Sequence, residues 1–187
     1  MAVHGKYAGL TMRRLFLLLA LIAVALGALP AQAVELRFPK TGKHAFHIDL
    51  PKTWHTKTDA RGGLLLIPPA AHQHALIYLS ILVDDKMRGQ PDSAIAEALG
   101  KTVGITAFDK EEPARVTDKA GAIHRGTAFY GKIPEKRGLS RKGKIVILPL
   151  EPNTWAQVWT VTQPGMNPVE YKTLDQVLNS LTLISEK

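Results

Sequence analysis

The chain contains no cysteine. This excludes disulfide frameworks, iron–sulfur clusters, thiol catalysis, thiolate zinc sites and lipid attachment to an N-terminal cysteine. Signatures of nucleophilic or metal-dependent hydrolysis are absent too: there is no G-x-S-x-G, no S-x-x-K and no H-E-x-x-H, and no glycine-rich phosphate loop. Aromatic residues are only 6% of the chain, and they do not interleave with the basic residues as a nucleic-acid-binding surface would require. The first 33 residues contain no acid.

What that first segment does contain is a leader pattern. Met12-Arg13-Arg14 forms a short positive region, and Leu15 to Leu29 is an unbroken apolar run. Ala31-Gln32-Ala33 supplies the small-x-small pattern that a signal peptidase accepts. A permanent membrane anchor needs roughly 20 apolar residues, and Pro30 ends the run short of that. The expectation is a signal peptide over residues 1–33, with Met12 as an alternative start, general secretion as the route, and cleavage beside Ala31 and Ala33. No transmembrane anchor would remain after processing. Losing Lys6, Arg13 and Arg14 without any acid takes the net charge from +8 to +5. The mature chain from Val34 to Lys187 has an ordinary size for one domain with one core.

That mature chain is strand-rich. Phe46, Ile48 and Leu50 alternate with His47 and Asp49 before Pro51, the mark of a half-buried strand. Gly62-Gly63 precedes the apolar run Leu64 to Ile67. Ala75 to Val83 is apolar on both faces, as is Lys144 to Leu150, so both strands need cover above and below. Pro91 opens a helix with Ile95, Ala98, Leu99, Thr102 and Val103 on one face. Strands over Ala114 to Lys119 and Ile123 to Lys132 turn at Lys119-Ala120-Gly121, and Trp155 to Thr162 alternates. The last element is a helix capped by Asn167, with Pro168 at its first position and Glu170 able to complete a capping box. The order is four strands, a helix, four strands and a helix. Doubly buried strands with hairpin-length connections call for an α+β fold. It is a three-layer α/β/α sandwich with a mainly antiparallel sheet and one helix on each face.

The run Phe46-His47-Ile48-Asp49-Leu50-Pro51-Lys52-Thr53-Trp54 resembles the opening F-x-I-x-L-P-x-x-W strand signature of the PsbP-like superfamily. That superfamily groups the extrinsic PsbP subunit of photosystem II, a nuclear Ran-binding release factor and bacterial periplasmic proteins. The order of the later elements is similar over most of residues 35–184. The resemblance implies the sandwich fold and a bias toward binding other proteins. It carries over no active-site residue.

Candidate chemistry then rests on three groups. His72-Gln73-His74 would place two imidazoles on one side of an extended segment, a start on a metal site in an exported protein, but two ligands of the three or four required. No carboxylate lies close to them in the sequence. Between Lys132 and Lys144 six cations face one acid, a local charge of +5. Lys136, Arg137, Arg141 and Lys142 there are the candidate contacts for an anionic partner: lipid headgroups, lipopolysaccharide phosphates or an acidic protein face. Trp155 and Trp159, four apart on one strand face, and Trp54 are expected to pack in the core. The sequence reads as an exported, non-catalytic, periplasmic or secreted protein that binds or assembles components of the bacterial envelope. No cofactor and no nucleic acid are expected, and an envelope protein is the expected partner. The alternative is a metal-ion or small-molecule binder using the histidine-rich segments.

Overall fold

Which runs become central and which become edges is decided by how many of their faces are apolar. The computed structural model describes residues 33–69, 74–134 and 140–186. The expected leader with Ala31, and the candidates His72, Lys136 and Arg137, lie outside the described residues; Ala33 is the first residue of the first strand. In chain order the strands are β1 (Ala33–Phe38), β2 (His44–Pro51), β3 (His55–Thr58), β4 (Leu64–Ile67) and β5 (Ala75–Val83). Helix α1 (Asp92–Val103) follows, then β6 (Phe108–Thr117), β7 (Ile123–Pro134), β8 (Ser140–Glu151) and β9 (Thr154–Thr162), helix α2 (Pro168–Asn179) and β10 (Thr182–Ser185).

Seven strands form one sheet in the order β3-β4-β5-β9-β8-β7-β6, and β1-β2-β10 form a smaller one. The ladders of the large sheet, and that of β2 with β10, are antiparallel. One face of the large sheet lies under α1, whose Ile95 and Ala96 pack with Phe129, Ile145, Ile147, Trp155 and Trp159. The opposite face packs on α2 and the small sheet, through Leu174, Val177, Phe46, Ile48 and Leu183 against Leu66, Ile77, Leu79 and Val158. The result is an α+β three-layer sandwich, mainly antiparallel, with one helix on each face. Phe46, Ile48, Leu50 and Trp54, four of the five fixed letters of the opening motif, enter that second core.

Several local expectations change. Five strands precede α1, and a tenth follows α2 to pair with β2 through Thr182↔His47 to Ser185↔His44. The apolar face of α1 is rotated. Ile95, Ala96 and Gly100 are buried while Ala98 and Thr102 are exposed. Gly100 explains the rotation: a Cβ there would stand 2.9 Å from Phe108 Cζ, so the bare backbone lets the helix settle on β6. Trp155 to Thr162 does not alternate, for β9 is the central strand and Thr154 to Thr160 are buried on both faces. The capping box of α2 forms as read: Asn167 Oδ1 accepts from the Val169 and Glu170 N–H groups, and Glu170 Oε2 accepts from Asn167 N–H at 2.7 Å.

The two edges of the large sheet are unlike its middle. All four residues of β3 are exposed. On the other edge, β6 carries Lys110, Glu111 and Glu112 and then Pro113, which has no N–H to offer. No helix among the described residues is long and apolar enough to cross a membrane.

Candidate functional site

Side chains alternate across a strand, so the basic stretch between Lys132 and Lys144 cannot present one surface. Ile133, Ile145 and Ile147 point to the α1 face, and Arg141, paired with Ile133, joins them. Tyr130, Lys132, Lys142 and Lys144 occupy the intervening positions and face the other way. Arg141 and Lys142, adjacent in sequence, therefore serve opposite faces of the sheet.

On the face shared with α2, the cover of helix and small sheet stops short of one corner. The ladder there aligns Lys110, Tyr130, Lys144 and Thr160 in one row across β6, β7, β8 and β9, and Lys132, Lys142 and Thr162 in the next. Lys132 and Lys142 are directly opposed and both exposed. The ammonium groups of Lys110 and Lys144 each lie 5.4 Å from the centre of the Tyr130 ring, within cation–π range. Glu112 offsets part of this charge, pairing with Lys110 at 2.6 Å. That bond, then one from Tyr130, holds its carboxyl below the ordinary range, while burial and then the bond to Glu112 push the Tyr130 hydroxyl up. Lys132 and Lys142 have no carboxylate within salt-bridge distance among the described residues. Sequence reasoning singled out Lys142 here but missed Lys110, Tyr130 and Lys144, although counting every second residue of β7 and β8 would have grouped the last two with it.

On the α1 face, at the same end of the sheet, Arg141 meets the other surviving candidate. Arg141, His74 and Gln163 line a cavity of about 370 Å³ whose remaining walls include Ile67, Leu76, Val103, Ile133 and Val161. His74 Nδ1 lies 2.8 Å from Glu170 Oε1, so the carboxylate that seemed missing from the histidine segment comes from α2, 96 residues later. Glu170 is itself buried and also caps its helix. Gln163 N–H donates to the His74 carbonyl at 2.7 Å, fixing the rim.

A larger groove, about 580 Å³, runs between α1 and β6. Its charges, Glu97, Lys101, Asp109, Lys110 and Glu111, are of both signs and favour no one kind of ligand. Three of the remaining described histidines, His44, His47 and His124, are hydrogen-bonded within the structure, His124 to Asp118. His47 and Lys119 share Glu35, whose carboxyl they hold low, Lys119 more than His47. His44 bridges Ser185 and Glu151, the latter held low by Lys43 and then by His44. The contacts of Lys119 with Glu35 and of His44 with Glu151 join the small sheet to the large one. His55 is exposed on edge strand β3. No group of three histidine, aspartate or glutamate side chains that could hold a metal ion occurs among the described residues.

No family profile and no curated protein sequence matches the chain. Solved structures do resemble it. Cyanobacterial PsbP (CyanoP) from Synechocystis sp. PCC 6803 is 10% identical with a TM-score of 0.47, the match covering 83% of this chain and 94% of that one. LpqN, involved in cell envelope biogenesis of Mycobacterium tuberculosis, is 17% identical with a TM-score of 0.47, over 82% and 91%. A protein from Bacteroides thetaiotaomicron is 16% identical with a TM-score of 0.43, and 76% of this chain spans 45% of that one.

Proposed function

We propose that this chain is an exported, non-catalytic binding or assembly factor of the bacterial cell envelope, and that it engages an anionic partner through the uncovered corner of its large sheet. The observation that carries the reading is the opposed pair Lys132 and Lys142, backed by Lys144 and Lys110 around Tyr130. Like charges directly opposite on a ladder destabilise a sheet, by up to about 1 kcal/mol. A site that retains them on an exposed, uncovered face is suited to meeting negative charge. Tyrosine held between cations adds a flat, amphipathic contact at the centre.

The test is a triple variant, Lys132→Glu with Lys142→Glu and Lys144→Glu, compared with the parent by crosslinking in intact cells and mass spectrometry. With about 1 kcal/mol for each cation near a charged surface, recovery of the envelope partner should fall about a hundredfold. Equal recovery from both proteins, or no envelope partner above background from the parent, would remove the reading's support. Phosphatidylglycerol and phosphatidylcholine vesicles distinguish a lipid surface from an acidic protein, since only the former captures the purified parent. The alternative of a small-molecule binder draws on one specific observation, the meeting of His74 and Arg141 at a cavity. Its metal-ion form has one described ligand, His74.

A further inference from the structure

The cavity at the end of the large sheet combines two properties that seldom meet by accident. Its walls are aliphatic: Ile67 from β4, Leu76 from β5, Val103 from the last turn of α1, Ile133 from β7 and Val161 from β9. Among the described residues its polar side chains are Arg141, His74 and Gln163. At about 370 Å³ it falls within the range of small-ligand sites, which are mostly apolar with a few converging polar groups.

Of these groups Arg141 alone carries a permanent charge. Arginine is a permanent cation whose guanidinium offers parallel N–H donors to a carboxylate. His74 Nδ1 faces an oxygen of Glu170, so Nδ1 is the donor there and Nε2 is the ring atom left for a ligand. Glu170 reaches this corner through His74, and its two oxygens receive His74 Nδ1 and the Asn167 N–H. Gln163 can donate or accept, and its backbone N–H is committed to the His74 carbonyl.

Beside the cavity, two glycines let the loop after α1 sit close against the sheet. Gly131 and Gly143 are directly opposed on β7 and β8, and Gly143 pairs with Val161 of β9. A Cβ on Gly143 would come within 2.7 Å of Ile105 Cδ1, and one on Gly131 within 2.6 Å of the Ala107 carbonyl oxygen. The two glycines draw the loop after α1 down onto the sheet and leave Val103 and Ile133 to frame the opening.

From this geometry we infer that the cavity binds a small amphipathic anion, an alkyl carboxylate, with the carboxylate on Arg141 and the alkyl chain between Val103, Ile133, Leu76 and Val161. A neutral alcohol of the same chain would forfeit the charge-assisted bonds, and an alkylammonium would be repelled by Arg141. The site is separate from the lysine corner, because Lys142 and Arg141 point to opposite faces.

The experiment titrates the purified protein with decanoate, decanol and decyltrimethylammonium, each below its micellar concentration, by calorimetry and by tryptophan fluorescence. Decanoate should bind saturably at one site and about tenfold or more tighter than decanol, with the ammonium weakest. Arg141→Gln should remove that preference for decanoate over decanol. Val103→Phe should weaken both decanoate and decanol about tenfold by narrowing the cavity, which keeps the test open if the arginine variant fails to fold. Lys142→Glu, on the other face, should leave decanoate binding unchanged. Equal affinity for decanoate and decanol, unsaturable binding, or full decanoate affinity in a folded Arg141→Gln or Val103→Phe protein would each overturn the assignment. Loss of binding in Lys142→Glu would move the site to the lysine corner and overturn it as well. Capture of the envelope partner, and its loss in the Lys132, Lys142 and Lys144 variant, are read in a separate experiment, so the two proposals can fail separately.

Discussion

The two faces of the large sheet, at the end where β7 meets β8, are made from alternate residues of the same strands. One is largely aliphatic, roofed by α1, with Arg141 at a cavity rim. The other is open, and there Lys110 and Lys144 flank one tyrosine while Lys132 and Lys142 oppose each other beside it. What separates them is parity along the strand, and not distance in the sequence. A charge run on a hairpin is therefore two half-runs, and each must be judged by the layer it meets.

Removing Trp159 should disturb the contrast most. Its ring is buried under α1, 4.8 Å from the ring of Tyr78, and Trp159→Ala should cost about 3–5 kcal/mol in denaturant unfolding. The ladder that divides the faces comes next. A Cβ on Gly126 would sit 1.9 Å from the Ile147 carbonyl oxygen, so β8 would have to move. Gly126→Ala should cost about 1–3 kcal/mol, read in the same way.

A pH effect follows on the α1 side. Burial, then the bond to Asp59, pushes the Tyr78 hydroxyl up to about 12 from its ordinary value of 10.0. A group raised in the folded state contributes stability that is complete below its unfolded value and is lost as pH rises. Stability should thus fall between pH 10 and about 12, and fall less steeply in Tyr78→Phe. Solvent reaches part of this ring, so the change will be less than the full shift implies. The smallest expected effect has the opposite sign. Lys132→Glu replaces a repulsion across the ladder by an attraction and should stabilise the fold by about 0.2–1 kcal/mol while weakening the anionic partner. A variant that is both less stable and fully competent would break the comparison.

Much of the fold was legible in the sequence because its signals are local. Phe46, Ile48, Leu50 and Trp54 announce a strand and its turn, and Asn167, Pro168 and Glu170 announce a helix start within four residues. The features that escaped depend on partners far along the chain. β10 is only four residues long and becomes a strand because β2 is there to pair with it. The buried face of α1 turns toward Gly100 because Phe108 fills the space left by the missing side chain. Gln157 and Thr160 look like solvent positions, yet they are buried because β9 lies at the middle of the sheet. At the candidate sites, Arg141, Lys142 and His74 were visible as residue types. Their assignment to two faces, and the link from His74 to Glu170, required the register of the large sheet and the seating of α2.

The edges of the large sheet carry a consequence for how anything can attach. An incoming chain that extended the sheet by β-augmentation would need a long, regular row of free backbone groups. β3 offers four residues, and β6 interrupts its row at Pro113 behind a cluster of charges. Self-templated polymerisation along the sheet is blocked by the same two features. Recognition is thereby turned from the rims to the broad sides, where side chains and not main chain select the partner.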